Sequence, residues 1–272
     1  MSVNNYAVIG NPIEHSKSPL IHSAYAKQEG VDINYYRILS EPTQFKSSVQ
    51  DFIDSSGVGL NVTVPFKLEA YEACTNLNDY ALAAKAVNTI SFSKDHAWNG
   101  FNTDGIGLIS DLKENKKIEL KGKKILILGA GGATRGILLP LLQQKPSNIL
   151  IANRTTSKAI QLVDEFINQG PVGSCGYNEL GAEIFDIVIN ATSASLSNQL
   201  PPLPDNIVSS SSICYDLAYS DVPTAFLRWA KEHSVNNYFD GLGMLIEQAA
   251  ESYYIWRGFR PDTQPVFKLL RP

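Results

Sequence analysis

K124-I-L-I-L-G-A-G-G-A-T-R-G136 runs directly into I137-L-L-P-L-L-Q-Q144. An apolar run of strand length meets a glycine turn and then a helical pattern, the order that opens a dinucleotide-binding βαβ unit. Glycines suit such a turn because it needs backbone conformations that a Cβ resists, and because its N–H groups must approach a pyrophosphate closely. The strict G-x-G-x-x-G spacing would put a third glycine at Thr134, with Gly132 and Gly136 as near substitutes. The same glycines could serve a merely tight turn; the strand–turn–helix setting favours a cofactor cradle made by Gly129, Ala130, Gly131, Gly132 and Ala133.

Downstream, the pattern predicts a strand over 148–152, a helix over 157–168 and strands over 184–189 and 213–217, four strands of a Rossmann-like doubly wound sheet. The second strand stops at Asn153-Arg154-Thr155, with Lys158 a turn later. A NAD site usually carries Asp or Glu here, bonded to the ribose 2′-hydroxyl. A carboxylate would repel a 2′-phosphate, whereas a guanidinium holds one through charge-assisted bonds, so Asn153, Arg154, Thr155 and Lys158 point to NADP. The third strand meets N190-A-T-S193 at the carboxyl edge of the sheet, where small Thr192 and Ser193 leave room for a nicotinamide ribose.

Upstream, strands over 5–9, 33–39, 58–64 and 89–92 alternate with helices from 18 and over 43–53, which again predicts mainly parallel α/β structure. A helix over 105–115 and the charged run K113-E-N-K-K117 mark a domain boundary near residue 104. A final helix over 242–256 puts Leu242, Leu245, Ile246, Ala249, Tyr253 and Trp256 on one face. The chain has 272 residues, room for one large or two medium domains. Its net charge of −4 gives no broad attraction to nucleic acid or to an anionic membrane. Three scattered cysteines, without a C-x-x-C pair, suit a reducing, cytoplasmic setting. No metal site is expected: the four histidines, His15, His22, His96 and His233, form no ligand pair, and His15 and His22 are expected on the surface or in loops. No segment has the apolar length of a membrane span.

Four polar clusters follow strand-like segments in the first half: H15-S-K-S-P19, N61-V-T-V-P-F-K67, V87-N-T89 and N102-T-D104. Taken singly, each also reads as a cap or a turn. Period-two alternation puts Asn61 and Thr63 on one strand face. Lysine is a poor base at its usual pKa, but partial burial lowers it and a nearby carboxylate orients it. A Lys67–Asp104 pair beside a nicotinamide would move the proton that accompanies hydride transfer.

Together with G129-A-G-G-A-T-R-G136, N153-R-T155, N190-A-T-S193 and G241-L-G-M-L-I-E-Q248, these stretches resemble the shikimate dehydrogenases of the aromatic amino-acid pathway, in the family's order and over nearly the whole chain. The resemblance implies reversible NADPH-dependent reduction of 3-dehydroshikimate to shikimate. It implies a substrate domain of 1–103 with 241–272, its C-terminal helices packing back on it, and an NADP-binding domain of 104–240. Lys67 would be the acid or base, Asp104 its partner and a ligand of a substrate hydroxyl. Ser16, Ser18 and Tyr219 would hold the substrate carboxylate, and Asn61, Thr63, Asn88 and Gln248 its hydroxyls. Gly241 and Met244 would lie near the nicotinamide; Met244 and Gln248, four apart, project from one helix face. Lys158 stands where many members carry a second Arg, a point charge that cannot fork around a phosphate. Lys85 stands where a Gly is common, which predicts an exposed turn of ordinary backbone geometry. The alternatives are a quinate/shikimate dehydrogenase with relaxed substrate or cofactor preference, and a regulatory NADP-binding module without activity. The sequence leaves monomer and homodimer open.

Overall fold

The computed structural model of the chain describes residues 3–93 and 97–271, and His96 lies outside them. Two compact units are present, Met1–Gly107 with Leu245–Pro272, and Leu108–Met244.

The first unit runs β1 (Asn4–Gly10), α1 (Ser18–Glu29), β2 (Ile33–Leu39), α2 (Phe45–Asp54), β3 (Gly57–Val62), α3 (Lys67–Ala73), β4 (Asn76–Leu77), α4 (Asp79–Ala84), β5 (Thr89–Phe92) and β6 (Trp98–Phe101), and enters α5 (Asp104–Ser110). Its sheet has the order β2-β1-β3-β5-β6-β4. The β1–β2 and β1–β3 pairs are parallel, as strand–helix–strand alternation predicts. β5 lies antiparallel to both β3 and β6, so the sheet is mixed. β5 and β6 are too close in sequence for the crossover that a parallel pair requires, and they pair as a hairpin. Pro19 in the first turn and Gly30, left-handed at φ +74°, delimit α1. Phe45, Val49, Phe52, Leu60, Phe66 and Ile90 pack one face of the sheet.

The second unit takes up the chain inside α5, continues through one π-helical turn (Asp111–Asn115), and builds β7 (Lys124–Leu128), α6 (Gly132–Gln143), β8 (Asn148–Ala152), α7 (Thr156–Phe166), β9 (Val172–Cys175), β10 (Ile187–Asn190), β11 (Ile213–Asp216), α8 (Ala225–Glu232) and β12 (Asn237–Phe239). All six strands are parallel, in the order β12-β11-β10-β7-β8-β9. The order reverses between β7 and β10, the switch point where doubly wound sheets bind ligands. Edge strands β9 and β12 add two to the four expected; each is too short and too polar to register as an apolar run. The residues Ile125, Leu126, Ile127 and Leu128 are fully buried, as a strand covered on both faces demands.

The chain leaves the second unit inside α9 (Leu242–Arg257), and α10 (Gln264–Leu270) ends it. Most of α9 and all of α10 belong to the first unit. Tyr25 donates to the Ile246 carbonyl at 2.9 Å, and Arg257 pairs with Glu29 at 2.7 Å, both contacts of α9 with α1. Among the described residues no helix is long and apolar enough to cross a membrane.

Candidate active site

Lys67 is the first residue of α3, delivered by the turn after β3 in which the Phe66 N–H bonds to the Thr63 carbonyl at 3.0 Å. Its Nζ lies 2.7 Å from Asp104 Oδ2. Asp104 opens α5, yet its carboxylate does not cap that helix; Asn102 Oδ1 accepts the Asp104 N–H at 3.1 Å and leaves the carboxylate available. Asn88 donates to Asp104 Oδ1 at 2.8 Å and so fixes which oxygen faces the lysine. The two side chains are 31% and 19% exposed, open enough to be reached yet partly covered.

Beneath this pair the polar groups form a second tier. Asn88 and the Thr103 hydroxyl reach Gln248 Oε1 at 3.4 and 3.3 Å. Asn61 is buried, accepting from the Tyr35 hydroxyl at 2.7 Å and donating to the Asn88 carbonyl at 3.2 Å and Ser252 at 3.1 Å. Thr63 sits half-buried just past β3. Ser16 and buried Ser18 flank the start of α1, and Arg37 grips the Ser16 carbonyl at 2.7 Å. Sequence reading missed Arg37, Thr103 and Ser252. Thr103 lies inside N102-T-D104, and Ser252 follows Gln248 by one helical turn, so both carried a positional signal.

Two expectations fail here. His22 is not at the surface: it is fully buried in α1, stacked on Tyr35 at 4.4 Å, and burial drives its pKa down to about 3. The polar, Pro-initiated start of α1 hid an inward face lined by aromatic rings. Lys85 is not in ordinary geometry: it ends α4 at φ +49°, ψ +39°, a left-handed position where glycine is the easier residue.

In the second unit a cavity of about 420 Å³ is lined by Gly129, Ala130, Gly131, Asn153, Arg154, Thr155, Lys158, Thr192 and Ser193, among others. Gly129 is left-handed at φ +101°, and a Cβ there would press on Thr192 and the Ala191 carbonyl. Cβ atoms at Gly131 and Gly132 would meet no protein atom, so that side of the turn faces open space. No side chain caps α6 at Gly131, which leaves first-turn N–H groups for an anion. Asn153 Oδ1 accepts from the Ala130 N–H at 3.2 Å and ties the glycine turn to the end of β8. Arg154 and Lys158 are exposed and form no ion pair among the described residues, whereas Arg135, within the glycine-turn motif, is held by Glu165 at 2.7 Å. Tyr177, Leu200, Pro201 and Pro202, which no motif indicated, complete the wall. Burial lifts the Tyr177 hydroxyl to about 12 against the opposing charge of Arg154. This cradle fits a dinucleotide with an anionic group at its adenosine end.

Asp216, fully buried at the end of β11, organises the neighbouring loops. Its carboxylate accepts from Ser195 and Thr224 at 2.6 Å each, from the Ala218 N–H at 3.1 Å and from Asn190 at 3.2 Å. It thereby joins the loop of Thr192 and Ser193 to the one carrying Tyr219, which is 39% exposed. At Gly241 a Cβ would collide with the Leu217 carbonyl oxygen, so only glycine fits. The Met244 N–H donates to the Tyr215 hydroxyl at 3.1 Å.

Three family models match the chain: the shikimate dehydrogenase substrate binding domain over residues 8–90, shikimate / quinate 5-dehydrogenase over 111–199, and the shikimate 5′-dehydrogenase C-terminal domain over 241–271. A shikimate dehydrogenase (NADP(+)) of Nitrosomonas eutropha is 49% identical over 269 residues, 99% of this chain and 97% of the relative. The Ael1 enzyme from Pseudomonas putida shares 44% identity and a TM-score of 0.94, covering 98% of both chains. The shikimate 5-dehydrogenase of Thermus thermophilus, in complex with NADP(H) and shikimate, gives 28% identity and a TM-score of 0.88, covering 99% of both. The chain belongs to the NADP-dependent shikimate dehydrogenase family.

Proposed function

We propose that in this shikimate dehydrogenase Lys67 and Asp104 handle the proton while shikimate and 3-dehydroshikimate interconvert. NADPH, when bound, supplies the hydride that the carbonyl carbon of 3-dehydroshikimate accepts. Lys67 Nζ gives a proton to the oxygen that this leaves negative, and in the reverse direction takes it back from the alcohol. Asp104 holds the amine through Oδ2, and Asn88 holds Asp104 through Oδ1, so the lysine stays in one orientation. The 2.7 Å Lys67–Asp104 pair, partly covered yet reachable, carries this reading.

Around that pair, Asn88, Gln248, Thr63 and Asn61 serve the substrate hydroxyls, Asn61 by aligning Asn88 from beneath as well as by any direct contact. Ser16, Ser18 and Tyr219 serve the carboxylate. Gly129, Ala130, Gly131, Gly132 and Ala133 receive the pyrophosphate, Asn153, Arg154, Thr155 and Lys158 the 2′-phosphate, and Thr192, Ser193, Gly241 and Met244 the nicotinamide end.

The deciding experiment measures initial rates of reduced-nicotinamide formation with shikimate or quinate crossed against NADP or NAD. Rapid turnover with shikimate and NADP alone is the expected result. Comparable rates with quinate or NAD would replace this reading with a broader dehydrogenase, and binding of NADP without turnover would replace it with a regulatory module.

A further inference from the structure

Asp111 is a carboxylate with no evident reason to be buried. It begins the π-helical turn after α5, is fully inaccessible, and forms no ion pair among the described residues. A buried carboxylate without a cation is costly unless neutral donors surround it. Two do: Tyr215, itself fully buried, donates to Oδ2 at 2.8 Å, and Asn115 donates to Oδ1 at 2.9 Å. On its remaining side lies α9, where a Cβ at Gly243 would overlap all three carboxyl atoms. The Tyr215 hydroxyl, having donated to Asp111, accepts the Met244 N–H at 3.1 Å. One carboxylate and one phenol therefore fix the first turn of α9 from two directions, and Gly243 is what allows so close an approach. The π-helical turn that ends α5 aims Asp111 at α9.

We propose that Asp111 and Tyr215 are positioning residues for hydride transfer, acting by holding the Gly243–Met244 backbone in register at the nicotinamide end of the site. The inference rests on the proposed placement of Met244 beside the nicotinamide. Neither side chain touches substrate; their action passes through the backbone of Met244. A displacement of this turn by a fraction of an ångström changes the distance between hydride donor and acceptor, to which the chemical step is far more sensitive than binding is.

The test compares wild type with Tyr215→Phe, which removes one oxygen, and Asp111→Asn, which keeps the shape but sets an amide NH₂ among donors. For each, kcat, both KM values, the melting temperature and the kinetic isotope effect with shikimate deuterated at the carbinol carbon are measured. We expect kcat to fall by about 10- to 100-fold, the reach of a sub-ångström to 1 Å misplacement. The KM for shikimate should hold while the isotope effect on kcat rises, because hydride transfer becomes rate-limiting. A lower melting temperature with wild-type kcat and isotope effect would overturn the inference and leave the pair as packing only. Should Tyr215→Phe fail to fold, Asp111→Asn decides by the same readouts. A wild-type protein that does not oxidise shikimate with NADP would overturn the proposed function and this inference with it, whereas an active wild type with unmoved variants overturns the inference alone.

Discussion

Asp104 and Asp216 are both carboxylates at the mouth of a sheet, and their surroundings are opposite in kind. Asp104 faces an ammonium at 2.7 Å, takes one further hydrogen bond from Asn88, and keeps 19% of its side chain exposed. Asp216 is fully buried and faces no cation among the described residues, only two hydroxyls, an amide and a backbone N–H. A carboxylate beside a solvent-accessible cation can respond when a proton leaves or arrives. One locked among four neutral donors holds loops in place and does nothing else, because every lone pair is committed. Asp111, with Tyr215 and Asn115, follows the second design. In the proposed reading, partner chemistry and exposure, more than residue type, separate the carboxylate of the reaction from those of the architecture.

The contrast is greatest at Lys67. Lys67→Met should lower kcat by about 10²- to 10⁴-fold, the worth of a positioned acid or base, while NADP binding followed by fluorescence titration stays as in wild type. A variant that retains most of its turnover would remove Lys67 from the chemistry. Asp216→Ala should show the inverse profile. It strands Ser195, Thr224 and Asn190 and should cost about 3 kcal/mol or more, at about 1–3 kcal/mol per unsatisfied buried group, read as a lower urea midpoint. Asp104→Ala, on the other hand, should shift that midpoint little, since partly exposed ion pairs contribute only about 0–1 kcal/mol. Equal destabilisation by the two alanines would erase the distinction between the two carboxylates.

A smaller effect comes from His22. Burial holds it neutral with a pKa near 3, below the unfolded value, so the unfolded chain binds the proton first as pH falls. Its neutral form supports the fold fully above about pH 6.5; below that, stability drops by up to about 1.4 kcal/mol per pH unit until the folded pKa is reached. His22→Phe keeps a ring against Tyr35 and removes the proton, so its melting temperature relative to wild type should rise between about pH 7 and pH 5. Parallel pH profiles would show that His22 contributes no such term. Lys85→Gly should have the smallest effect. It relieves a left-handed residue at φ +49°, worth about 1–2 kcal/mol, against the added entropy of glycine and the loss of the lysine's own contacts. A net gain of about 0.5 kcal/mol in a denaturant titration is expected, and a clear loss would mean those contacts outweigh the backbone.

Whatever depends on near neighbours in the chain was legible in the order of residues. The apolar runs at 124–128 and 148–152, the glycine turn between them and the placement of Arg154 after the second strand all lie within a few tens of residues. Periodicity and backbone permissiveness act over that range, so the βαβ unit, the cofactor class and the parallel half of the first sheet could be read directly. The antiparallel direction of β5, the short strands β4, β6, β9 and β12, and the left-handed Lys85 could not, because short elements lack a period, strand direction depends on distant partners, and a residue's φ is imposed by what packs around it. Which polar groups meet was settled by folding. Asn61 reaches Ser252 across 191 positions, Lys67 reaches Asp104 across 37, and Tyr215 reaches Asp111 across 104. The motifs named Lys67 and Asp104 but could not show that Asn102 would take the capping role and leave the carboxylate available. Nor could they distinguish Asp104 from Asp216, since burial and choice of partner arise only when distant segments fold together and water is excluded from one site but not from the other.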